Sequence, residues 1–309
     1  MLKRWVSVLT VAAAAIAASA PAQAREPKQL RPSSEWGLDY AEERCSLFRT
    51  FGEDNEIQFR IDAYGRPFAY RMMFWGPDLP RSRTPFSTMQ YRLTPDAELR
   101  ETSVSQGEMG GVEARFLTLT LLPTEDDTAF SNASANPSPA YMAERAAEMR
   151  AYRNSIENIE LRVRGSDGYD LQLSGFPRAL EALDSCVDDL YRHWGIDPVQ
   201  QRSLSRQASI TPAMVKKMVG NYPIDRLRAG DNAHLPVRVR VAADGTPSDC
   251  VVQLEPSEGG FSDALCSGLE DRFEPALDQN GQPVASMFFS YAIFQVMNSP
   301  AGFPRAPYR

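Results

Sequence analysis

Histidine is nearly missing from this sequence: of 309 residues only His193 and His234 carry an imidazole. That scarcity excludes most acid–base relays and histidine-ligated metal centres, which need a ring within reach of a nucleophile or of further ligands. Neither ring accompanies a serine in a G-x-S-x-G setting, and the four cysteines form no C-x-x-C. Nucleophile-elbow and thioredoxin-like chemistry are therefore not signalled. Beyond the first twenty or so residues no long apolar run occurs, so nothing later reads as a membrane span. Internal repeats and low-complexity tracts are lacking too.

The N-terminus supplies the first positive signal. Lys3 and Arg4 precede an apolar run from Trp5 to Ala20, followed by Pro21 and the small-residue pattern Ala22, Gln23, Ala24. This is the layout of a secretory signal peptide over residues 1 to 24, with cleavage expected after Ala24. The rival is an uncleaved anchor, but the run is Ala-rich and shorter than the roughly 20 apolar residues that a spanning helix needs. Cleavage would remove Lys3 and Arg4 and take the formal net charge from -7 to -9. So acidic a chain is a poor partner for nucleic acid or anionic lipid. With 43% hydrophobic and 24% charged residues the remainder is globular in composition, and long enough for one large or two ordinary domains. Four cysteines, Cys45, Cys186, Cys250 and Cys266, in an oxidising compartment allow three disulfide connectivities.

The chain divides into two parts. Residues 36 to 195 are mostly strand-like: Ile57, Phe59 and Ile61 alternate with Gln58, Arg60 and Asp62, and FAYRMMFW and RFLTLTLL are β-rich runs punctuated by Gly and Pro. An antiparallel sheet with one wetter face is expected. PTEDDTAFSNASANPSPA, residues 123 to 140, reads as an exposed loop. A helix then follows over YMAERAAEMRAYRNSIEN, and two strands joined by a Gly-containing turn over IELRVRGSDGYDLQLSG. PRALEALDSCVDDLYRHWG closes the unit as a helix, with Leu180, Leu183, Val187, Leu190 and Trp194 at helical spacing, Pro177 near its start and Gly195 at its end. Residues 196 to 210 show no periodicity and serve as a linker between domains.

From residue 211 to 297 the order is a short helical piece, strand HLPVRVRVA, a turn at Asp244-Gly245, strand DCVVQLE, helix GFSDALCSGLEDRF, a loop with Asp278, Asn280 and Gly281, and strand ASMFFSYAIFQV. Leu235, Val237, Val239 and Val241 make one apolar face opposite Arg238 and Arg240. Phe261, Leu265, Leu269 and Phe273 fall on one helical stripe that can cover it. Residues 298 to 309 read as an irregular tail. The fold class is α+β: a β-rich N-terminal domain closed by a helix, then a small domain of hairpin, helix and strand.

Candidate chemistry is sparse. His193 at a helix end reads as a partner for terminal carbonyls or a packing ring, and His234 at a strand entrance as exposed. Glu125, Asp126 and Asp127 lack the ordered oxygen spacing of a calcium loop, and Asn280-Gly281 is ordinary turn chemistry. No catalytic residue, metal site or cofactor is assigned, and the chain is not read as an enzyme; a hydrolase-type activity in the N-terminal domain is the weakest alternative.

The lead-in Tyr222-Pro223, the Asp244-Gly245 turn, the SDC and Leu-Cys positions, Phe273-x-Pro275-Ala276 and Asn280-Gly281-x-Pro283 occur in an order that resembles the TonB C-terminal domain family over roughly residues 211 to 297. The resemblance implies a small α+β binding module without catalytic residues. In the family this module docks in the periplasm against a peptide segment of an outer-membrane transporter, adding that peptide as a strand. It also implies that Cys250 and Cys266 form a structural clip. Cys45 would then join Cys186, while crossed pairing would bridge the two domains. WGLDYAEERCSLFRTFG and DSCVDDLYRHWGIDP are similar to an uncharacterised domain that precedes TonB-like ends in some bacterial secreted proteins, and no activity comes with that likeness.

One departure from the family is plain. A complete transducer has an uncleaved helix and a long Pro- and charge-rich segment, whereas here REPKQLRPSSE alone lies between the signal and folded sequence, reaching about 35 Å at ~3.1 Å per residue. The expected role is thus a periplasmic protein- or peptide-binding module rather than a short anchored transducer, which would touch the membrane only with its signal uncleaved. The last strand is apolar on both faces. A helix can cover only one, leaving the other for the N-terminal domain, a second copy of the chain in a homodimer, or a partner. Phe289, Ser290, Tyr291, Ala292, Ile293 and Phe294 are the expected partner-binding residues, through main-chain strand addition.

Overall fold

Alternation of buried and wetter side chains builds the first half of the molecule, as at Ile57, Phe59 and Ile61 against Gln58 and Arg60. The structure, a computed structural model, describes residues 26–80, 86–123, 139–164, 166–231, 233–254 and 260–294. The expected signal segment, most of the stretch from 123 to 140 read as a loop and the tail from 298 lie outside the described residues. Ten strands form one curled sheet: β1 (Lys28–Leu30), β2 (Gly37–Tyr40), β3 (Cys45–Phe51), β4 (Ile57–Ala63), β5 (Ala69–Trp75), β6 (Phe86–Arg92), β7 (Arg100–Met109), β8 (Val112–Thr120), β9 (Asn158–Arg162) and β10 (Tyr169–Gln172). Their order is β1-β10-β9-β6-β7-β8-β5-β4-β3-β2. All neighbours run antiparallel except β1, which lies parallel to β10.

Helix α1 (Pro139–Asn154) begins within the stretch read as loop, because Pro is well placed at the first helical turn. Helix α2 (Phe176–His193) lays Phe176, Leu180, Leu183 and Leu190 into a core with Leu47, Phe59, Ile61, Met72, Phe74 and Leu119. A disulfide joins Cys45 on β3 to Cys186 on α2, Cα atoms 6.1 Å apart. Closing about 140 residues, it stabilises the fold by about 5 kcal/mol on the chain-entropy account.

The second half contains α3 (Pro198–Arg202), α4 (Pro212–Gly220), α5 (Ile224–Ala229), β11 (Ala233–Val241), β12 (Pro247–Val252), α6 (Phe261–Gly268), β13 (Ala276–Leu277), β14 (Pro283–Val284) and β15 (Ser286–Phe294). Three of its strands form an antiparallel sheet ordered β12-β11-β15. Val237, Val239 and Val241 meet Phe261, Leu265, Phe288 and Phe294 in a second core. Cys250 and Cys266 clip β12 to α6, Cα atoms 5.7 Å apart.

Three details differ from the sequence reading. Helix α6 stops at Gly268, so Leu269 and Phe273 are buried by the following chain and not by a helical stripe. Phe273 N–H instead donates to Gly245 O at 2.9 Å, an approach so close that a Cβ at residue 245 would lie 2.3 Å from Phe273 O. Residues 196 to 210 are folded: Asp197 caps α3, Ser205 and Arg206 bond to Leu277, and Ser209 to Glu274. A single helical turn is too short to show periodicity, and the other partners are distant in sequence. Finally, His234 is half-buried, not exposed, with its ring 5.2 Å from that of Tyr291.

Candidate partner-binding edge

The charged face of β11 is turned toward the N-terminal half. Arg238 donates from Nε and Nη2 to the two carboxylate oxygens of Glu43, both at 2.7 Å, while its guanidinium carbon lies 5.0 Å from the centre of the Trp194 ring. The planar fork suits both the carboxylate and the ring face. Arg240 donates to the main-chain oxygen of Trp194, and Gln253 Nε2 donates to the carbonyls of Glu43 and Tyr64, each at 3.1 Å. These contacts make a seam between the two cores.

Side chains of β15 divide between its faces. Phe288, Ala292 and Phe294 enter the core beneath α6. Met287 and Phe289 enter the other core, where the Phe289 ring stacks 5.7 Å from Tyr191 and 5.8 Å from Trp194. Gly65 makes room for it: a Cβ there would sit 2.5 Å from the Phe289 ring, and φ is +88°. Tyr291 packs edge-on to Tyr64 at 6.3 Å, Ser290 is half-buried, and Ile293 is 63% exposed. Of the six expected binding residues, then, Ile293 alone projects an exposed side chain.

The main chain of β15 is a different matter. The strand lies at the sheet edge, with β11 on one side only. At Met287 the outward side is occupied by Gln201 of α3, whose Nε2 donates to Met287 O at 2.9 Å and whose Oε1 accepts from Met287 N at 3.0 Å. Antiparallel pairing alternates strictly, so Phe289, Tyr291 and Ile293 also direct N–H and C=O away from β11. Among the described residues these groups have no hydrogen-bond partner. Other sheet edges are blunted: β1 and β2 have three and four residues, and β12 begins with Pro247 and carries an irregularity beside Asp249, at φ +47°. Nine-residue β15 pairs regularly with β11 throughout.

The β4–β5 connection, residues 64 to 68, brings one cation, Arg66, near this edge. Asp62 is already engaged, accepting from Arg60 Nε at 2.6 Å and from the Tyr64 hydroxyl at 3.2 Å. Arg66 is half-buried, and burial lowers its pKa from the usual guanidinium value. Burial raises that of Tyr291, whose buried hydroxyl has no hydrogen-bond partner. Burial, with the Arg71 charge, pushes His234 down to about 4. No group of three or more potential metal ligands occurs among the described residues, and none of their helices is long and apolar enough to cross a membrane.

Gln201, Glu43, Gln253 and Arg66 went unnoticed in the sequence. A lone Gln in a polar stretch carries no periodic signal, and a charge gains meaning only from what faces it. Comparison with known proteins returns no matching family model, no matching curated protein and no matching solved structure.

Proposed function

We propose that the protein is a periplasmic binding module whose C-terminal half captures an extended segment of another protein as an added strand along Phe289 to Phe294, in the manner of a TonB C-terminal domain. An outer-membrane transporter is the partner class. The observation that carries this reading is the open main chain at Phe289, Tyr291 and Ile293 on a regular nine-residue edge strand, where the other edges are blunted. Main-chain pairing supplies affinity in such recognition, so the commitment of Phe289, Ala292 and Phe294 to the cores does not oppose it.

The test places a photo-crosslinking residue at the half-buried Ser290, on the same edge strand, in the full chain in cells. Cross-links to an outer-membrane transporter support the reading, and their loss on Ile293→Pro ties them to the edge. Proline there removes an outward N–H without touching the ladder to β11. Cross-links solely to a second copy of the chain would replace the reading by an edge-to-edge dimer.

A further inference from the structure

Arg66 is a cation without a counter-ion among the described residues. It forms no ion pair or hydrogen bond among the described residues, although the chain as a whole is acidic. The carboxylates of the neighbouring elements are committed to other partners: Asp62, at the end of β4, to Arg60 and Tyr64, and Glu43 to Arg238. The connection that carries it crosses the face of β15, since Tyr64 packs on Tyr291 and Gly65 lies against Phe289. Arg66 and Tyr291 lie within electrostatic reach of each other, and the buried Tyr291 hydroxyl has no hydrogen-bond partner. A half-buried guanidinium whose nitrogens still reach solvent is a ready partner for a carboxylate supplied from elsewhere, with which it can form a charge-assisted fork.

Resting on the strand-addition reading, we infer that the captured segment is acidic: an Asp or Glu side chain in its middle pairs with Arg66, while its backbone pairs with Phe289, Tyr291 and Ile293. A position opposite Tyr291, inside the open stretch, requires the peptide to continue on both sides. The acid is therefore a side chain and not a chain terminus. Gln201 closes the stretch at Met287 and so sets where the segment ends.

The test uses the full disulfide-bonded chain and blocked decapeptides of alternating Thr and Val, with Glu, Gln or Lys scanned through the central positions, and reads binding by fluorescence anisotropy. At one position the Glu peptide is expected to bind at least about tenfold more tightly than the Gln peptide, as a charge-assisted hydrogen bond allows. Arg66→Gln should erase that advantage and leave the Gln peptide unchanged, whereas Arg66→Lys keeps part of it. Because Arg66 has no partner to orphan among the described residues, both variants should retain the wild-type melting temperature. Equal binding of Glu and Gln peptides, both lost on Ile293→Pro, would overturn the acidic preference and leave strand addition standing. A second set of the same peptides with the C-terminal carboxylate left free serves as control, and a preference confined to that set would overturn the inference as well. If no peptide binds, or Ile293→Pro changes nothing, strand addition fails and takes the inference with it.

Discussion

The side chain of Gln201 pairs with the main chain of Met287 as a neighbouring strand would, donating to its carbonyl at 2.9 Å and accepting from its N–H at 3.0 Å. One amide thereby seals the first outward position of an edge strand and leaves the next three open. Gln201 and Met287 are both buried, so neither group of Met287 has water as an alternative.

Gln201→Ala should lower stability by about 1 to 3 kcal/mol, the cost of leaving a buried donor or acceptor unmade. The urea midpoint checks this. Gln201→Glu should cost at least as much, because a carboxylate can accept from Met287 N but cannot donate to Met287 O.

The seam depends on Glu43. Glu43→Ala removes both acceptors of Arg238, whose side chain is largely buried against Trp194. A loss of about 2 to 4 kcal/mol is expected, toward the lower end of what breaking a fully buried pair costs. Calorimetry should show the single transition broadening or dividing as the two cores uncouple. Replacing both partners, as in Glu43→Gln with Arg238→Met, should recover part of the loss.

Gly65→Ala tests the approach of Phe289. Its left-handed backbone alone costs an alanine about 1 to 2 kcal/mol, and displacing the ring adds about 1 to 3 kcal/mol. Phe289→Leu introduced into Gly65→Ala should relieve the second contribution and not the first, which a double-mutant cycle in thermal or urea unfolding would resolve.

His234 gives the fold an acid-side pH dependence. Its pKa falls from 6.5 to about 4, through burial first and the Arg71 charge second. Above pH 6.5 both folded and unfolded chains hold the ring neutral. Between 6.5 and 4 the unfolded chain binds the proton and the folded one does not, so stability falls on acidification across that window and levels off below it. The loss is at most about 3 kcal/mol from this group. His234→Gln should flatten the slope of stability against pH over that range.

Much of the framework was legible locally. Alternation marked β4 and β11, Asp244-Gly245 marked the hairpin between β11 and β12, and the stripe of Leu180, Leu183 and Leu190 marked α2. Both disulfides join the expected cysteines. Less legible were features whose partners lie far away in the chain. Arg238 and Arg240 alternate with valines and mark a charged face, but nothing local shows that this face meets Glu43 and Trp194. His234, on the same face and expected to be exposed, is half-buried beside Tyr291.

For the last strand, sequence alone determined that both faces are apolar, because two parities of aromatic and aliphatic residues run side by side from Met287 to Phe294. Only the tertiary structure decided what covers them: α6 on one face, and Trp194, Tyr191 and Tyr64 on the other. It also decided that the main-chain edge is sealed at Met287 and open from Phe289 onward. Side-chain parity is written in a strand's own residues, whereas the neighbour beside its hydrogen-bonding edge comes from chain more than eighty residues away.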